Sequence, residues 1–158
     1  MVLKEKLPEG WKWAELQEVS RVFAGSSAPQ DKKYFINGNN PFVRVSDLSV
    51  YKKTDNLTQV KGYVTDECVK QERLTLAKKG TLIFPKSGAA ITTNNRGILG
   101  IDDYIVSHLA AIEPIENKIL PKWLYYYFLI LDMVTYCDNP GYPSLQLSII
   151  KNLPWMYY

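Results

Sequence analysis

Apolar and polar positions alternate along this chain in short blocks, and the blocks predict buried strands joined by polar turns. Apolar runs occupy residues 81–84, 97–101 and 108–112, each bounded by turn-forming residues; runs of this length and setting read as buried strands. Between the first two lies a polar loop, 85–96, rich in Lys, Ser, Gly, Thr, Asn and Arg. A sheet that carries such a loop on a rigid frame is suited to present a recognition surface. Taken alone, the same loop also reads as a solvated hairpin connection.

The flanking regions follow other periods. Trp13, Leu16 and Val19 fall on one face at helical spacing, predicting a short helix over 13–19. Residues 41–45 predict a strand in which Arg44 points away from the face of Val43 and Val45. Residues 49–61 are polar and predict irregular chain. Thr65 followed by Asp66 and Glu67 is a helix-start signal, with the helix reaching about Arg73. The clearest helix is predicted over 120–134, where Leu120, Trp123, Leu124, Tyr127, Phe128, Leu131 and Val134 recur at i, i+3, i+4 and i+7 and Pro121 suits the first turn. Its opposite side carries Tyr125, Tyr126, Leu129 and Ile130, which predicts burial on more than one side. The breakers at 138–144 end it; a helical turn near Leu145, Ile149 and Ile150 and a short aromatic strand over 152–158 complete the chain. The fold class expected is mixed α/β (α+β), strand-rich, with a buried aromatic helix in the C-terminal half and short flanking helices.

Composition narrows the function classes. A chain of 158 residues that is 46% hydrophobic fits one domain with a sizeable core. The net charge of +3 permits a local anion-binding patch without demanding one. Cys68 and Cys137 stand far apart and the chain has one histidine, His108, so a multi-histidine metal site is excluded and a zinc site is not expected. Both cysteines read as small apolar residues in a reducing compartment. The opening MVLKEKLPEGW lacks an apolar signal region, and the longest apolar run, 123–131, is too short to span a bilayer. These features point to a cytoplasmic protein with no membrane partner.

Catalytic patterns are weak. There is no glycine-rich dinucleotide loop and no P-loop. Asn139-Pro140-Gly141-Tyr142 has the outline of an amino-methyltransferase motif, but it follows a helix and no cofactor-binding region precedes it. A Cys–His nucleophile pair would need Cys68 or Cys137 beside His108, and nothing in the spacing supports that. No catalytic residue, metal or cofactor is expected.

Five segments, in order, carry a family resemblance: LPEGWKWAELQEV, NNPFVRVSDL, KKGTLIFPKSGAAI, LPKWLYYYF and NPGYPSLQLSIIKNLPW. From Leu7 to Trp155 the chain resembles one target recognition domain of a type I restriction–modification specificity subunit. The resemblance implies a single recognition domain over 1–158, reading one half of a split site in double-stranded DNA. A whole subunit of that family has two such domains followed by long helices; no spacer helix is expected here. Methyl transfer and cleavage would belong to a methyltransferase (modification) subunit and a restriction subunit. A second recognition domain or a homodimer would complete the site.

On that reading three loops, 25–33, 86–96 and 141–146, converge at one edge of the sheet. Lys32, Lys33 and Lys86 would neutralise phosphates. Arg44 or Arg96 would fork onto guanine, and Gln30, Asn94, Asn95 or Gln146 would pair with adenine. Ser26, Ser27, Ser87, Thr92, Thr93 and Ser144 supply hydroxyls, and Tyr142 a contact to the backbone or a thymine methyl. Arg44 has a competing role, pairing with Asp47 to hold the strand end. The alternative function is a protein–protein interaction or dimerisation module built on the 120–134 helix and the C-terminal aromatics.

Overall fold

The computed structural model describes residues 6–139 and 141–158. Its frame is a five-stranded sheet made of β2 (Ser20–Ala24), β4 (Lys53–Leu57), β7 (Leu82–Pro85), β8 (Arg96–Leu99) and β10 (Leu109–Pro114), in the order β2-β10-β7-β8-β4. Neighbours are antiparallel except β4, which runs parallel to β8. The three strands expected around the central loop are therefore present and adjacent.

Their unbroken apolar character has a direct cause: this sheet is buried on both faces. Leu82, Phe84, Ala110 and Ile112 point to one side and join a core with Leu16, Leu124, Phe128, Ile150 and Trp155. Ile83, Leu109 and Ala111 point to the other and join Phe42, Val43, Leu48, Val64, Cys68 and Ile105. The second core is closed by a four-stranded sheet of β5 (Gly62–Val64), β3 (Asn40–Val43), β9 (Asp103–Ile105) and β6 (Leu76–Ala77), with β3 and β9 parallel. Helices α2 (Val45–Tyr51) and α3 (Asp66–Gln71) contribute Leu48 and Cys68 to it. The Thr65 hydroxyl accepts the Cys68 N–H at 3.2 Å, so the start expected for α3 is a true side-chain cap.

Four expectations are corrected. The strand expected over 41–45 stops at Val43: Arg44 is the N-cap and Val45 the first residue of α2, so Arg44 is not an alternating strand position. Residues 12–15 form strand β1 (Lys12–Glu15), paired with β11 (Pro154–Tyr157), and only α1 (Leu16–Val19) is helical; a partner more than 130 residues away overrides the local period. Residues 49–61 are irregular only in part, because α2 extends to Tyr51 and β4 occupies Lys53–Leu57, which leaves 58–61 outside regular structure. Helix α4 (Pro121–Leu129) is shorter than expected and buries one side only: Leu124, Tyr125 and Phe128 face the core, while Leu120, Trp123, Tyr126 and Ile130 remain 61–80% exposed. Beyond it, Asp132 caps a 3₁₀ turn, Met133–Tyr136, by accepting the Val134 N–H. Helix α5 (Leu147–Lys151) and β11 close the chain, and the Tyr127 hydroxyl donates to the Pro154 carbonyl at 2.7 Å to tie α4 to that end.

Candidate nucleic-acid interface

Four strand ends meet at one edge of the molecule, and backbone hydrogen bonds join them. Beyond β2, the Gly25 N–H donates to Leu109 O and the Ser26 N–H to Ile105 O. The turn between β9 and β10 answers with Val106 N–H to Val43 O at 3.1 Å and Ser107 N–H to Ser26 O at 2.7 Å. On its other side the His108 carbonyl accepts the Lys86 N–H at 2.9 Å. Lys86 O then accepts the Leu145 N–H at 2.8 Å, and Pro143 O accepts the Gly88 N–H at 2.8 Å, so Ser87 and Ser144 face each other as an isolated bridge. The result is one hydrogen-bonded rim that runs from 25–26 through 106–108 and 86–88 to 143–145. Gly25 is required for the first joint, since a Cβ there would collide with the carbonyls of Ile105 and Val106.

The expected convergence of loops is thus partly met, with differences among individual side chains. Lys86 and Ser87 are half-buried on the rim, and Ser27, Ser144 and Tyr142 are exposed. The Tyr142 ring lies over Gly88, its hydroxyl 3.7 Å from where a Cβ would stand. Ser26 is on the rim, but its hydroxyl is engaged: it donates to Thr75 Oγ1 at 2.9 Å and accepts the Thr75 N–H. Gln146 donates to Asp138 at 2.7 Å, and Gln30 to the Ala28 carbonyl. Thr92 and Thr93 stand exposed on a 3₁₀ turn, Ala89–Thr93, with their hydroxyls donated to Ala89 O and Ala90 O.

Arg96 is a correction. Its side chain was expected to fork onto guanine, yet the residue is 1% exposed. The guanidinium donates to Asn95 O at 3.0 Å, Asn94 Oδ1 at 3.0 Å, Leu131 O at 3.2 Å and Phe128 O at 3.4 Å, and lies 5.3 Å from the Phe84 ring centre. Burial lowers its pKa to about 10, against the opposing pull of Asp132. A charge this deep is retained only because fixed carbonyl dipoles replace its water. Asn94 is likewise committed: it adopts a left-handed conformation, donates to Asp132 at 3.1 Å, and accepts from both Arg96 and the Met133 N–H. Asn95 is 8% exposed. These three residues shape the loop from within and do not present their side chains to a ligand.

The basic residues of the first loop are also differently placed. Lys32 and Lys33 sit on a 3₁₀ turn, Lys32–Phe35, capped by Asp31 and packed on α3. Lys33 lies 3.4 Å from Glu67, whose charge raises the Lys33 pKa, while Lys32 is exposed. Arg44 does not pair through its guanidinium with Asp47; that carboxylate instead accepts the backbone N–H groups of Arg44 at 2.8 Å and Lys61 at 2.9 Å. The Arg44 guanidinium lies 5.4 Å and 5.5 Å from the ring centres of Phe35 and Phe42. It directly follows Val43, whose carbonyl binds the central turn, so it flanks the rim. The turn 106–108, which joins these strand ends, is not among the loops the sequence pattern singles out. The signal present is Ser107-His108: the run taken as 108–112 opens on a polar residue, and the strand itself begins at Leu109.

The architecture is a mixed α/β frame that gathers polar turns at the ends of several strands. The family model for the type I restriction modification DNA specificity domain matches residues 8–156, and the chain belongs to that family. It is 29% identical over 161 residues to the type I restriction enzyme MjaIX specificity subunit of Methanocaldococcus jannaschii, covering 95% of this chain and 34% of that protein. Among solved structures, it resembles a chain from a study of complex assembly and conformational transition in the type I R-M system, with TM-score 0.73, 17% identity, and coverage of 99% of this chain and 36% of that one. The HsdS subunit of Thermoanaerobacter tengcongensis gives TM-score 0.65 at 16% identity, covering 98% and 34%. The chain therefore spans about a third of the length of these relatives.

Proposed function

We propose that this chain is a DNA target recognition domain that reads one half of a bipartite site on behalf of methyltransferase and restriction subunits. The observation that supports the reading is the rim: turns from both sheets are joined by backbone hydrogen bonds, and they carry Lys86, Ser87 and Ser144, the Tyr142 ring beside Gly88, and the exposed Ser27 that follows the Ser26 joint. Rigid backbone with short polar side chains and few cations suits base-edge reading better than bulk electrostatic attraction. Arg44, Thr92 and Thr93 stand beside this surface; Arg96, Asn94 and Asn95 support it from behind. Catalysis is assigned to the partner subunits, in keeping with a family that is non-catalytic in general. Each base pair read would contribute roughly 1–3 kcal/mol of discrimination, so a single small rim gives modest specificity. That is a physical reason for two such domains to act together.

The test is selection of duplexes from a randomised pool at low and near-physiological salt. Enrichment of a short motif that persists at the higher salt supports the reading; no binding to any duplex contradicts it.

A second reading has one observation in its favour. Leu120, Trp123, Tyr126 and Ile130 form an exposed apolar stripe along α4, which fits a protein-binding face. It is compatible with the first reading, since a recognition domain also has to dock on its partners. Association through this stripe would depend weakly on salt, whereas DNA binding weakens steeply.

A further inference from the structure

We infer that the His108 side chain contacts a base edge at the centre of the DNA-reading surface. The inference rests on the DNA reading above and adds a residue to it. Three observations converge on this position. First, the turn 106–108 is the hub of the rim. Its backbone bonds to β3 through Val43, to the end of β2 through Ser26, and to the loop after β7 through Lys86. Second, the bonds that hold His108 use its carbonyl, while the residue is exposed, which leaves the imidazole free to serve a ligand without disturbing the frame. Third, two basic residues border the turn through the backbone: the Lys86 N–H is bonded to the His108 carbonyl, and Arg44 follows Val43, whose carbonyl is bonded to the Val106 N–H.

A duplex laid across such a surface puts its two phosphate strands against the flanking cations and its groove over the centre. The group at the centre then meets base edges. A neutral imidazole offers one donor and one acceptor on diverging ring positions, so it makes one hydrogen bond to a purine edge at a time: its N–H to N7 or O6 of guanine or to N7 of adenine, or its bare nitrogen from the N6 amino group of adenine. The purine-edge contact that Arg96 does not make, because it is buried, is supplied by His108.

Because the chain holds a single histidine, the test is unambiguous. The wild-type chain is used to select a motif from a randomised duplex pool, and the enriched duplex is titrated into labelled protein while the imidazole resonances are followed by NMR. The resonances are expected to shift in step with binding measured by fluorescence polarisation. In parallel, selection with His108→Ala is expected to give a motif in which preference at one base position falls by roughly tenfold, with the salt slope and the far-UV spectrum unchanged. His108→Gln, which keeps a donor and an acceptor, is expected to alter the preferred base at that same position.

Binding without movement of the imidazole resonances overturns the inference and leaves the DNA reading intact. A reduced salt slope in His108→Ala with an unchanged motif makes the contact a phosphate contact and overturns the base-edge assignment. Failure of the wild-type chain to bind any duplex overturns both.

Discussion

The guanidinium of Arg96 donates to the side-chain oxygen of Asn94 at 3.0 Å, and that same oxygen accepts the Met133 N–H at 3.0 Å. Through this relationship the loop after β7 is bolted to the chain that follows α4. Arg96 adds bonds to the carbonyls of Phe128 and Leu131, at the point where α4 gives way to the Asp132-capped turn. The candidate reading loop is held by the core beneath it.

Arg96→Met should remove the charge but strand those carbonyls. Loss of hydrogen bonds to a charged group, together with an incompletely filled core, predicts destabilisation of about 2–4 kcal/mol in denaturant titration. Arg96→Lys should not restore full stability, because an ammonium cannot span four acceptors arranged for a planar fork. Wild-type stability in the lysine variant would contradict the clamp.

Lys86→Ala should weaken binding to all duplexes alike. One phosphate contact fewer lowers the dependence of log K on log salt by about 1. The check is affinity for the selected duplex and a scrambled one at several salt concentrations; a loss confined to one sequence would make Lys86 a base-reading residue.

The two faces of α4 should respond differently to truncation. Leu124 is fully buried against the five-stranded sheet, so Leu124→Ala should cost about 2–5 kcal/mol. Trp123 is 61% exposed, so Trp123→Ser should change the stability of the isolated chain by about 0.5 kcal/mol or less. Urea melts of both variants decide this; a large loss at Trp123 would mean that the face is covered.

Asp103 gives a pH prediction. Its carboxylate is fully buried in β9, and neither oxygen has a hydrogen-bond partner among the described residues. Burial first, then the charges of Asp47 and Asp102, raises its pKa to about 7. In the unfolded chain an aspartate ionises near 4 (about 3.9). Between these values the folded form binds the extra proton, so this residue makes the protein less stable as pH rises from about 4 to about 7, with no further loss above. The size is a few kcal/mol at most, at about 1.4 kcal/mol per pH unit. Asp103→Asn should flatten that slope and equal or exceed the wild type in stability at pH 8; an unchanged slope would show that Asp103 is not its source.

The sequence made the frame legible where burial is two-sided. Residues 82–85, 96–99 and 109–114 are strands because both their faces need apolar cover, and an unbroken apolar run records that. Thr65 announced α3 because a cap is a local interaction. What stayed hidden was set by distant partners. Lys12–Glu15 is a strand only because Pro154–Tyr157 lies beside it, and Lys53–Leu57 only because β8 does. At the site, Ser87, Lys86 and Ser144 were named and are brought together. Arg96 departs from expectation because a polar loop ending in arginine has the same sequence pattern whether the side chain turns outward or into the core. The joint at 106–108 is not legible in the sequence because its backbone partners, Val43, Ser26 and Lys86, are remote from it along the chain.

The most direct test of sequence reading by the rim is a selection from a randomised duplex pool at near-physiological salt, run with the wild-type chain and with Lys86→Ala and His108→Ala. A short motif enriched by the wild type, retained but bound more weakly by Lys86→Ala, and degenerate at one position with His108→Ala, is the predicted result. Enrichment of no motif by the wild type, or a motif and an affinity that both substitutions leave unchanged, would contradict it.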